Sequence, residues 1–216
     1  MSDDRIREVK PIAAKDTYDL LLNVHYAGRI PSISFAFGLF VGGELEGVVT
    51  YGTPAAAPVR KGLLGPDLSS RVLELNRLCL RGNHRNDASF LVARSLRLLP
   101  QGRAVLSFAD MEQGHTGAVY QAANFLYCGM SAKRTDWKIE GLEHLHNQTI
   151  VDMFKGETDR AGAARARFGD AFKLVQRPRK HRYVYLTGGK RERREMLAAL
   201  RYPVENYPKA DGRDLV

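Results

Sequence analysis

The chain has 216 residues, of which 44% are hydrophobic and 26% are charged, and this balance excludes a wholly disordered protein. No stretch reaches the roughly 18 consecutive apolar residues of a membrane span, and the acidic residues 1–4 predict no secretory signal. The two cysteines, Cys79 and Cys128, are too few for a disulfide framework, so we expect a cytoplasmic protein in a reducing compartment.

The positive charge of the chain is concentrated in one segment. The formal net charge is +9, and residues 160–194 alone carry 12 Lys and Arg against 2 Asp and Glu, a net charge of +10. Such a segment favours a polyanionic partner, with nucleic acid ahead of a membrane surface. A basic face that only keeps the protein soluble is the alternative interpretation.

Patterns in the first third of the chain predict a helix, a hairpin and a loop. Apolar residues at helical spacing predict a helix over 16–27. Two β-prone runs, 34–41 and 44–52, are joined by two glycines and predict a β-hairpin. Residues 53–68 are rich in proline and glycine and predict a loop that is mobile or covers a site.

The rest of the chain alternates between strand and helix patterns. In chain order we predict a strand at 71–80, a helix at 88–99, a strand at 104–110, a short helix at 115–123, a strand at 126–130, a mostly helical segment at 145–176, a strand at 182–187 and a helix at 191–200. This order predicts a single α/β domain over 1–216, with a mixed central sheet and helices on both faces. A basic helical insertion is expected at 141–180, and a basic C-terminal helix and tail at 188–216.

The turn after the strand at 71–80 is a candidate anion site. A polar turn that leads into a helix presents free backbone N–H groups, and Arg81, Arg85 and Ser89 add donors for a phosphate or a pyrophosphate. An ordinary helix cap supplied by Asn86 or Asp87 explains the same turn. Arg77 lies inside the preceding strand, where a guanidinium is costly unless it meets an anion.

A second candidate site follows the strand at 104–110. Asp110 ends that strand, where ligands bind in open α/β sheets, and His115 and Tyr120 follow on the next helix. These groups suit a general base, a general acid and an orienting residue, or metal ligands. The alternative is that Asp110 caps a turn and Tyr120 packs in the core. His25 and Tyr26 form another candidate pair, which a surface pair at a helix end would also explain.

Basic residues near the C-terminus are candidates for contact with DNA phosphates, since arginines beside tyrosine rings are common in nucleic-acid contacts. They are Arg177, Arg179, Lys180, Arg182, Lys190, Arg191, Arg193 and Arg194.

The order of elements resembles the fold of the GNAT acyl-CoA-dependent N-acyltransferases. In that family a tyrosine one turn before the last core strand often protonates the departing thiolate, and Tyr120 lies at the matching position. The usual pyrophosphate loop of the family, Arg/Gln-x-x-Gly-x-Gly/Ala, does not match residues 81–86 here.

A narrower resemblance covers most of the chain. Its most specific block runs from Ser107 to Phe125, and the others are His25-Tyr26…Pro31, residues 47–52, 74–78 and 86–89, and the ending Tyr207-Pro208-Lys209. These segments resemble the Mom family of phage DNA-modification proteins, divergent GNAT-like proteins that convert adenine in DNA to its N6-carbamoylmethyl derivative. The resemblance implies protection of DNA from restriction, acetyl-CoA as a ligand, a bound iron, and functional roles that fall on Tyr26, Arg77, Ser89, Asp110 and Tyr120.

The product limits the chemistry. The carbamoylmethyl group joins N6 to a CH₂ and needs an amide nitrogen, neither of which an acetyl thioester supplies in activated form. Either a metal activates the α-carbon, with Tyr26, Asp110 and His25 or His115 as ligands, or a glycine-like donor brings both atoms. Adenine N6 is paired in double-stranded DNA, so the enzyme must flip the base or find it unpaired. Tyr26, Tyr51 and Phe108 are candidate stacking partners.

Two other functions remain open at this point. One is a conventional acetyl-CoA-dependent N-acetyltransferase that acts on a protein or small-molecule amine. The other is a non-catalytic DNA-binding protein.

Overall fold

The computed structural model describes residues 6–82, 84–111, 114–145 and 147–208. The chain divides into two compact units. Unit 1 comprises the described residues up to Met130 and from Lys180 onward, and unit 2 comprises Ser131–Arg179. The insertion that we expected at 141–180 therefore overlaps a unit that begins at Ser131. In the described ranges, no helix is both long enough and apolar enough to cross a membrane.

A seven-stranded sheet forms the centre of unit 1. Its strands are β1 (Arg7–Pro11), β2 (Phe35–Val41), β3 (Glu44–Gly52), β4 (Val72–Leu80), β5 (Ala104–Asp110), β6 (Leu126–Met130) and β9 (Lys180–Leu186), in the order β1-β2-β3-β4-β5-β9-β6. All neighbouring pairs are antiparallel except β4 and β5, which are parallel. The prediction of a mixed sheet is confirmed.

Helices cover both faces of this sheet. One face packs against α2 (Asp87–Leu98) and α3 (Ala118–Ala122), and its core includes Leu91 and Phe125. The other face packs against α1 (Ala57–Leu64) and α6 (Lys190–Ala199) through Leu63, Leu64 and Met196. Apolar side chains on both sides of the strands therefore leave water, which is the main favourable term for this fold.

Two features of β4 open the sheet near its middle. Thr50 pairs with Arg77 and Tyr51 pairs with Leu75, so Asn76 is an extra residue that forms a β-bulge. The parallel pairing of β4 with β5 covers only three residue pairs and ends at Glu74. Beyond that point β4 continues along β3, and β5 continues along β9 as far as Asp110. A gap therefore separates the C-terminal halves of β4 and β5.

Unit 2 has a small core of its own. The strands β7 (Arg134–Ile139) and β8 (Phe172–Arg177) pair antiparallel, and α4 (Asn147–Asp152) and α5 (Arg160–Phe168) lie between them in the chain. Ile139, Ile150, Phe154, Ala164 and Phe172 are buried together. The mostly helical prediction for 145–176 is correct for the two helices and wrong for β8.

Two predictions in the first third of the chain are wrong in detail. The predicted loop at 53–68 contains α1, because Pro58 lies in the first helical turn, where its missing N–H costs nothing. The predicted helix at 16–27 is a 3-10 turn, Ala14–Thr17, followed by a π-helical turn, Leu20–Val24. The chain leaves this second turn at His25, whose backbone is extended.

Candidate functional site

A cavity of about 660 Å³ lies in the gap between β4 and β5. It brings together most of the predicted catalytic side chains, which come from four separate parts of the chain. Its lining includes His25, Tyr26, Arg77, Phe108, Asp110, His115, Tyr120 and Lys180. The separation of the two strands is therefore the feature of the fold that creates room for a ligand.

Arg77 is a desolvated cation in this cavity. It follows the bulge in β4, and its Nη1 donates a hydrogen bond of 2.6 Å to the carbonyl of Asn76. Its buried Nε has no hydrogen-bond partner among the residues that the structure describes. Burial, followed by the charge of Arg29, lowers the pKa of Arg77. A buried donor of this kind is costly without a partner, so an anionic ligand group fits this position.

Asp110 and Lys180 form an ion pair at the edge of the cavity. They are cross-strand partners at the ends of β5 and β9, and Lys180 Nζ contacts Asp110 Oδ2. The pair places a carboxylate next to a cation in a partly buried position, which gives the site a proton acceptor of fixed orientation. Lys180, which the sequence predicts as a DNA contact, is part of the cavity lining.

Tyr120 supplies the site with a protonated hydroxyl. It lies on α3, and its ring packs against Phe125 and Tyr183. Burial raises the pKa of Tyr120, and a hydrogen bond with Ser107 opposes that shift. The phenol therefore remains protonated at neutral pH, so it is suited to donating a proton and not to accepting one.

The segment that carries His25 and Tyr26 is tied to β4 by Asn76. The Asn76 side chain accepts a hydrogen bond of 2.6 Å from Thr50 Oγ1 and donates one of 2.8 Å to the carbonyl of Ser32. The two aromatic rings stack with centroids 4.4 Å apart, and Tyr26 remains 69% exposed. Tyr26 therefore presents an open ring face at the mouth of the cavity.

His25 is neutral at physiological pH. Its Nδ1 accepts a hydrogen bond of 3.0 Å from the N–H of Ala27, which places the proton of the neutral ring on Nε2. Burial, followed by the charge of Arg77, lowers the pKa of His25 to about 4. In this state His25 is a hydrogen-bond donor through Nε2, and it is poorly suited to be a general base or a metal ligand.

The predicted phosphate site after β4 is not part of the cavity lining. The hydroxyl of Ser89 donates to the carbonyl of Asn86, and Arg81 pairs with Asp19 at 2.6 Å. Arg85 is exposed. Among the candidate stacking partners, Tyr51 is fully buried, and its hydroxyl is 2.6 Å from Ser95 Oγ, so it cannot stack on a base.

The residues present do not form the iron site that the family resemblance implied. In the described ranges there is no group of three or more His, Cys, Asp or Glu side chains that could hold a metal ion. Of the predicted ligands, Asp110 is paired with Lys180, and the Nδ1 of His25 is occupied. We therefore derive no step through iron.

The basic residues predicted to contact DNA differ in their exposure and in their hydrogen-bond partners. The side chains of Lys190, Arg191, Arg193 and Arg194 on α6 are exposed. Arg182 is only 8% exposed: it donates to the carbonyl of Cys128 at 2.9 Å, and its guanidinium lies 3.6 Å from the centre of the Tyr202 ring. These contacts show that Arg182 supports the fold of unit 1 and is too buried to bind a DNA phosphate. In unit 2, Arg177 binds Asp136, and Arg179 donates to the carbonyl of Ser131.

Comparison with known proteins supports the sequence resemblance. A family model described as the Mom protein family matches residues 7–209. The chain belongs to the Mom protein family. It is also 31% identical over 204 residues to the methylcarbamoylase mom of Escherichia phage Mu, a match that covers 86% of this chain and 76% of that protein. The resemblance to this family predicted from the sequence is confirmed.

The chain is similar to solved acetyltransferase structures at low sequence identity. One is a GNAT-family acetyltransferase from Bacillus cereus, with a TM-score of 0.44 and 12% identity, covering 84% of this chain and 98% of that one. Another is a Bacillus subtilis acetyltransferase in complex with CoA, with a TM-score of 0.43 and 14% identity, covering 85% and 99% of the two chains.

One further residue near the cavity was missed by the sequence analysis. Glu74 is the last residue of β4 that pairs with β5, and its carboxyl interacts electrostatically with Arg77 and Lys180. Burial raises the pKa of Glu74, and those two cations oppose that shift. The sequence pattern that could have indicated this residue is a glutamate between two leucines of a predicted strand, three residues before an arginine.

Proposed function

We propose that this protein is a transferase that modifies adenine in DNA, with N6 as the acceptor of a carbamoylmethyl group. Membership of the Mom family and the similarity to a protein named methylcarbamoylase support this proposal. The observation that carries it is the cavity in which Arg77, Asp110 and Tyr120 meet from three separate elements. Protection of the modified DNA from restriction nucleases is the biological consequence that we propose.

The acceptor base enters the cavity from outside the duplex. Flipping a base costs a few kcal/mol, and stacking on an aromatic ring returns about 1–3 kcal/mol. Tyr26 offers an exposed ring at the cavity mouth, and Phe108 lines the wall. We assign the stacking contacts to these two residues.

The chemical step transfers one proton away from N6 and delivers one to the leaving group. As the bond from N6 to the methylene carbon of the donor forms, the bond from that carbon to the leaving group breaks. The Asp110 carboxylate accepts the N6 proton, and Lys180 holds that carboxylate in place. The hydroxyl of Tyr120, which burial keeps protonated, donates a proton to the leaving group.

The donor carries an anionic group that pairs with Arg77. The buried Nε of Arg77, which has no hydrogen-bond partner among the described residues, and the nearby charge of Arg29 both favour a negative group at this point. An acyl-CoA or another small-molecule or carrier-bound donor provides such a group, as a phosphate or a carboxylate. A glycine-like donor whose carbonyl already carries the amide nitrogen, and whose methylene carries the leaving group, supplies both carbons and the nitrogen of the product.

Nucleoside mass spectrometry tests this function. The protein is expressed in a bacterial host, the DNA is digested to nucleosides, and deoxyadenosine carrying the added carbamoylmethyl mass is quantified. We expect product from the wild type and a loss of 100-fold or more in Asp110→Asn, in line with the usual contribution of acid–base catalysis. Asp67→Asn is the matched control, because Asp67 is an exposed carboxylate outside the cavity lining.

Two results would contradict the proposal. Unmodified deoxyadenosine from a folded and abundant wild-type protein would reject the function. Undiminished product from Asp110→Asn would reject the site. Acetylation of an amine acceptor in the absence of DNA would favour the conventional N-acetyltransferase.

A further inference from the structure

The two strands of unit 2 form a ribbon whose two faces differ in chemistry. Trp137, Ile139 and Phe172 point into the core of unit 2. Strand alternation places the intervening residues on the opposite face, which we call the ribbon face. It consists of three cross-strand pairs: Arg134 with Arg177, Asp136 with Val175, and Lys138 with Lys173.

Two of these three pairs oppose like charges. Like charges directly across a strand pair destabilise a sheet, whereas opposite charges stabilise it. Carboxylates offset part of the repulsion: Asp136 binds Arg177 at 2.9 Å, Glu140 binds Lys173 at 3.4 Å, and Glu143 interacts electrostatically with Lys138. For the remaining cations, Arg134 and Lys138, no ion pair within 4 Å is found in the part of the chain that the structure describes. The ribbon face thus keeps an excess of positive charge that the fold does not use.

The ribbon face is open to solvent. The side chains of Arg134, Lys138 and Lys173 are exposed, and Val175 between the two cation pairs is 44% exposed. The carboxylate partners of Lys173 and Arg177 hold these two side chains in place. Two cations that form ion pairs and two exposed cations therefore lie on one surface with a small apolar group between them.

The spacing of the cation pairs matches a feature of duplex DNA. Positions 134 and 138 are four residues apart, which corresponds to about 13 Å along a strand. The major groove of B-DNA is about 12 Å wide and admits a two-stranded ribbon. Cations at the two ends of the ribbon face therefore span the distance between the phosphate backbones that border the groove.

We propose that the ribbon face binds duplex DNA across the major groove. Arg134 and Arg177 contact one phosphate backbone, Lys138 and Lys173 contact the other, and Val175 faces the floor of the groove. The choice of DNA among polyanions rests on the proposed function, and the binding surface itself rests on the charge pattern of the ribbon.

The salt dependence of DNA binding tests this proposal. Arg134→Gln/Lys138→Gln removes the two cations of the ribbon face that form no ion pair within 4 Å with any described residue. Lys15→Gln/Arg97→Gln removes two exposed charges from unit 1. Fluorescence anisotropy with a labelled 24-base-pair duplex gives the affinity of the full-length protein at several salt concentrations. We expect the slope of log affinity against log salt to fall by about 1.8 in the ribbon variant, which is roughly 60-fold weaker binding at 0.1 M salt. The control keeps the wild-type slope.

A second variant and a second substrate sharpen the test. Val175→Glu adds a carboxylate to the ribbon face without removing a cation, and we expect it to weaken duplex binding as well. The single strand of the same sequence should lose less affinity than the duplex in the ribbon variant. Circular dichroism confirms that each variant is folded.

The outcomes separate this proposal from the proposed function. An unchanged slope in the ribbon variant, or an equal loss in the unit 1 control, overturns the ribbon proposal even if the wild type makes the modified nucleoside. A ribbon-dependent slope from a wild type that makes no modified nucleoside supports the DNA surface and rejects the transferase.

Discussion

Replacing Arg77 with methionine tests whether this side chain contributes to the stability of the fold or to the binding of the donor. Methionine fills a similar volume without a charge, so Arg77→Met removes the buried Nε that lacks a partner. An unsatisfied buried donor costs about 1–3 kcal/mol, and the hydrogen bond from Nη1 to the Asn76 carbonyl contributes about 1.5–3 kcal/mol. These two contributions nearly cancel. We expect the free energy of unfolding to change by less than about 1 kcal/mol, while modified deoxyadenosine disappears.

Thermal unfolding measures this effect directly. For a chain of this length, 1 kcal/mol corresponds to about 2–4 °C in Tm, so the shift should stay below roughly 4 °C. A structural arginine with a buried ion-pair partner would instead cost about 3–5 kcal/mol on removal, which corresponds to at least about 6 °C. A shift of that size in Arg77→Met would refute the assignment of Arg77 to an anionic ligand.

The same substitution at Arg81 is the matched control. Arg81 ends the same strand region, is exposed, and is paired with Asp19. Exposed ion pairs contribute about 0–1 kcal/mol, so Arg81→Met should resemble the wild type in both Tm and product. Loss of product in Arg81→Met would show that the donor reaches the turn after β4 as well as the cavity.

Three further predictions concern residues around the cavity. Tyr120→Phe should lose product while its free energy of unfolding changes by only about 1 kcal/mol, the usual net contribution of one hydrogen bond, and full activity in this variant would exclude Tyr120 as the proton donor. Asn76→Ala removes two hydrogen bonds and should lower the free energy of unfolding by about 2 kcal/mol in urea, together with a higher KM; an unchanged KM would contradict a positioning role. The pKa of His25 is lowered to about 4 in the folded state, so unfolded chains bind a proton first as the pH falls below about 6.5. Relative to His25→Gln, the free energy of unfolding of the wild type should therefore fall by about 1–2 kcal/mol between pH 6.5 and 4, after a discount for solvent screening. Parallel curves of stability against pH for the two proteins would contradict this.

The catalytic residues could be predicted because each follows a local pattern. Asp110 ends a strongly apolar strand, Tyr120 lies on a short helix that comes soon after it, and Arg77 interrupts an otherwise apolar strand. Nothing local shows that these three side chains share a cavity. That depends on the separation of β4 from β5, which follows from pairing between distant parts of the chain.

The bulge that opens the sheet did leave a trace in the sequence. Leu73 and Leu75 pack against the core beneath α2, and after the extra residue Leu78 and Leu80 pack against the same core. The apolar positions therefore change from odd to even numbers at Asn76, since a one-residue insertion reverses the alternation of a strand. The sequence still predicts one uninterrupted strand at 71–80, because the change of phase shifts the apolar positions by only one residue within a strongly apolar run.

Unit 2 was harder to predict because its strands lack strong alternation. In β7 four of six residues are polar or charged, and in β8 only Phe172 is fully buried. A strand with one buried residue shows almost no alternation of apolar and polar residues. The prediction for this segment therefore depends on its basic composition, which favours a helix. The pairing in unit 2 depends on contacts between residues more than thirty positions apart.

Positive charge is distributed unevenly between the cavity and the rest of the protein. At the cavity, the cations Arg77 and Lys180 interact with the carboxylates of Glu74 and Asp110, which offset part of the positive charge, including that of Arg29 near Arg77. Most of the net positive charge of the chain lies in residues 160–194, of which Lys180 belongs to the cavity lining. Contacts with DNA phosphates do not depend on base sequence, and they weaken as the salt concentration rises. A cavity in which carboxylates offset the cations can orient a proton acceptor without attracting the DNA backbone. A strongly basic cavity would draw phosphates into the space that the flipped base must occupy, so keeping the positive excess outside the cavity leaves it available for the base and the donor.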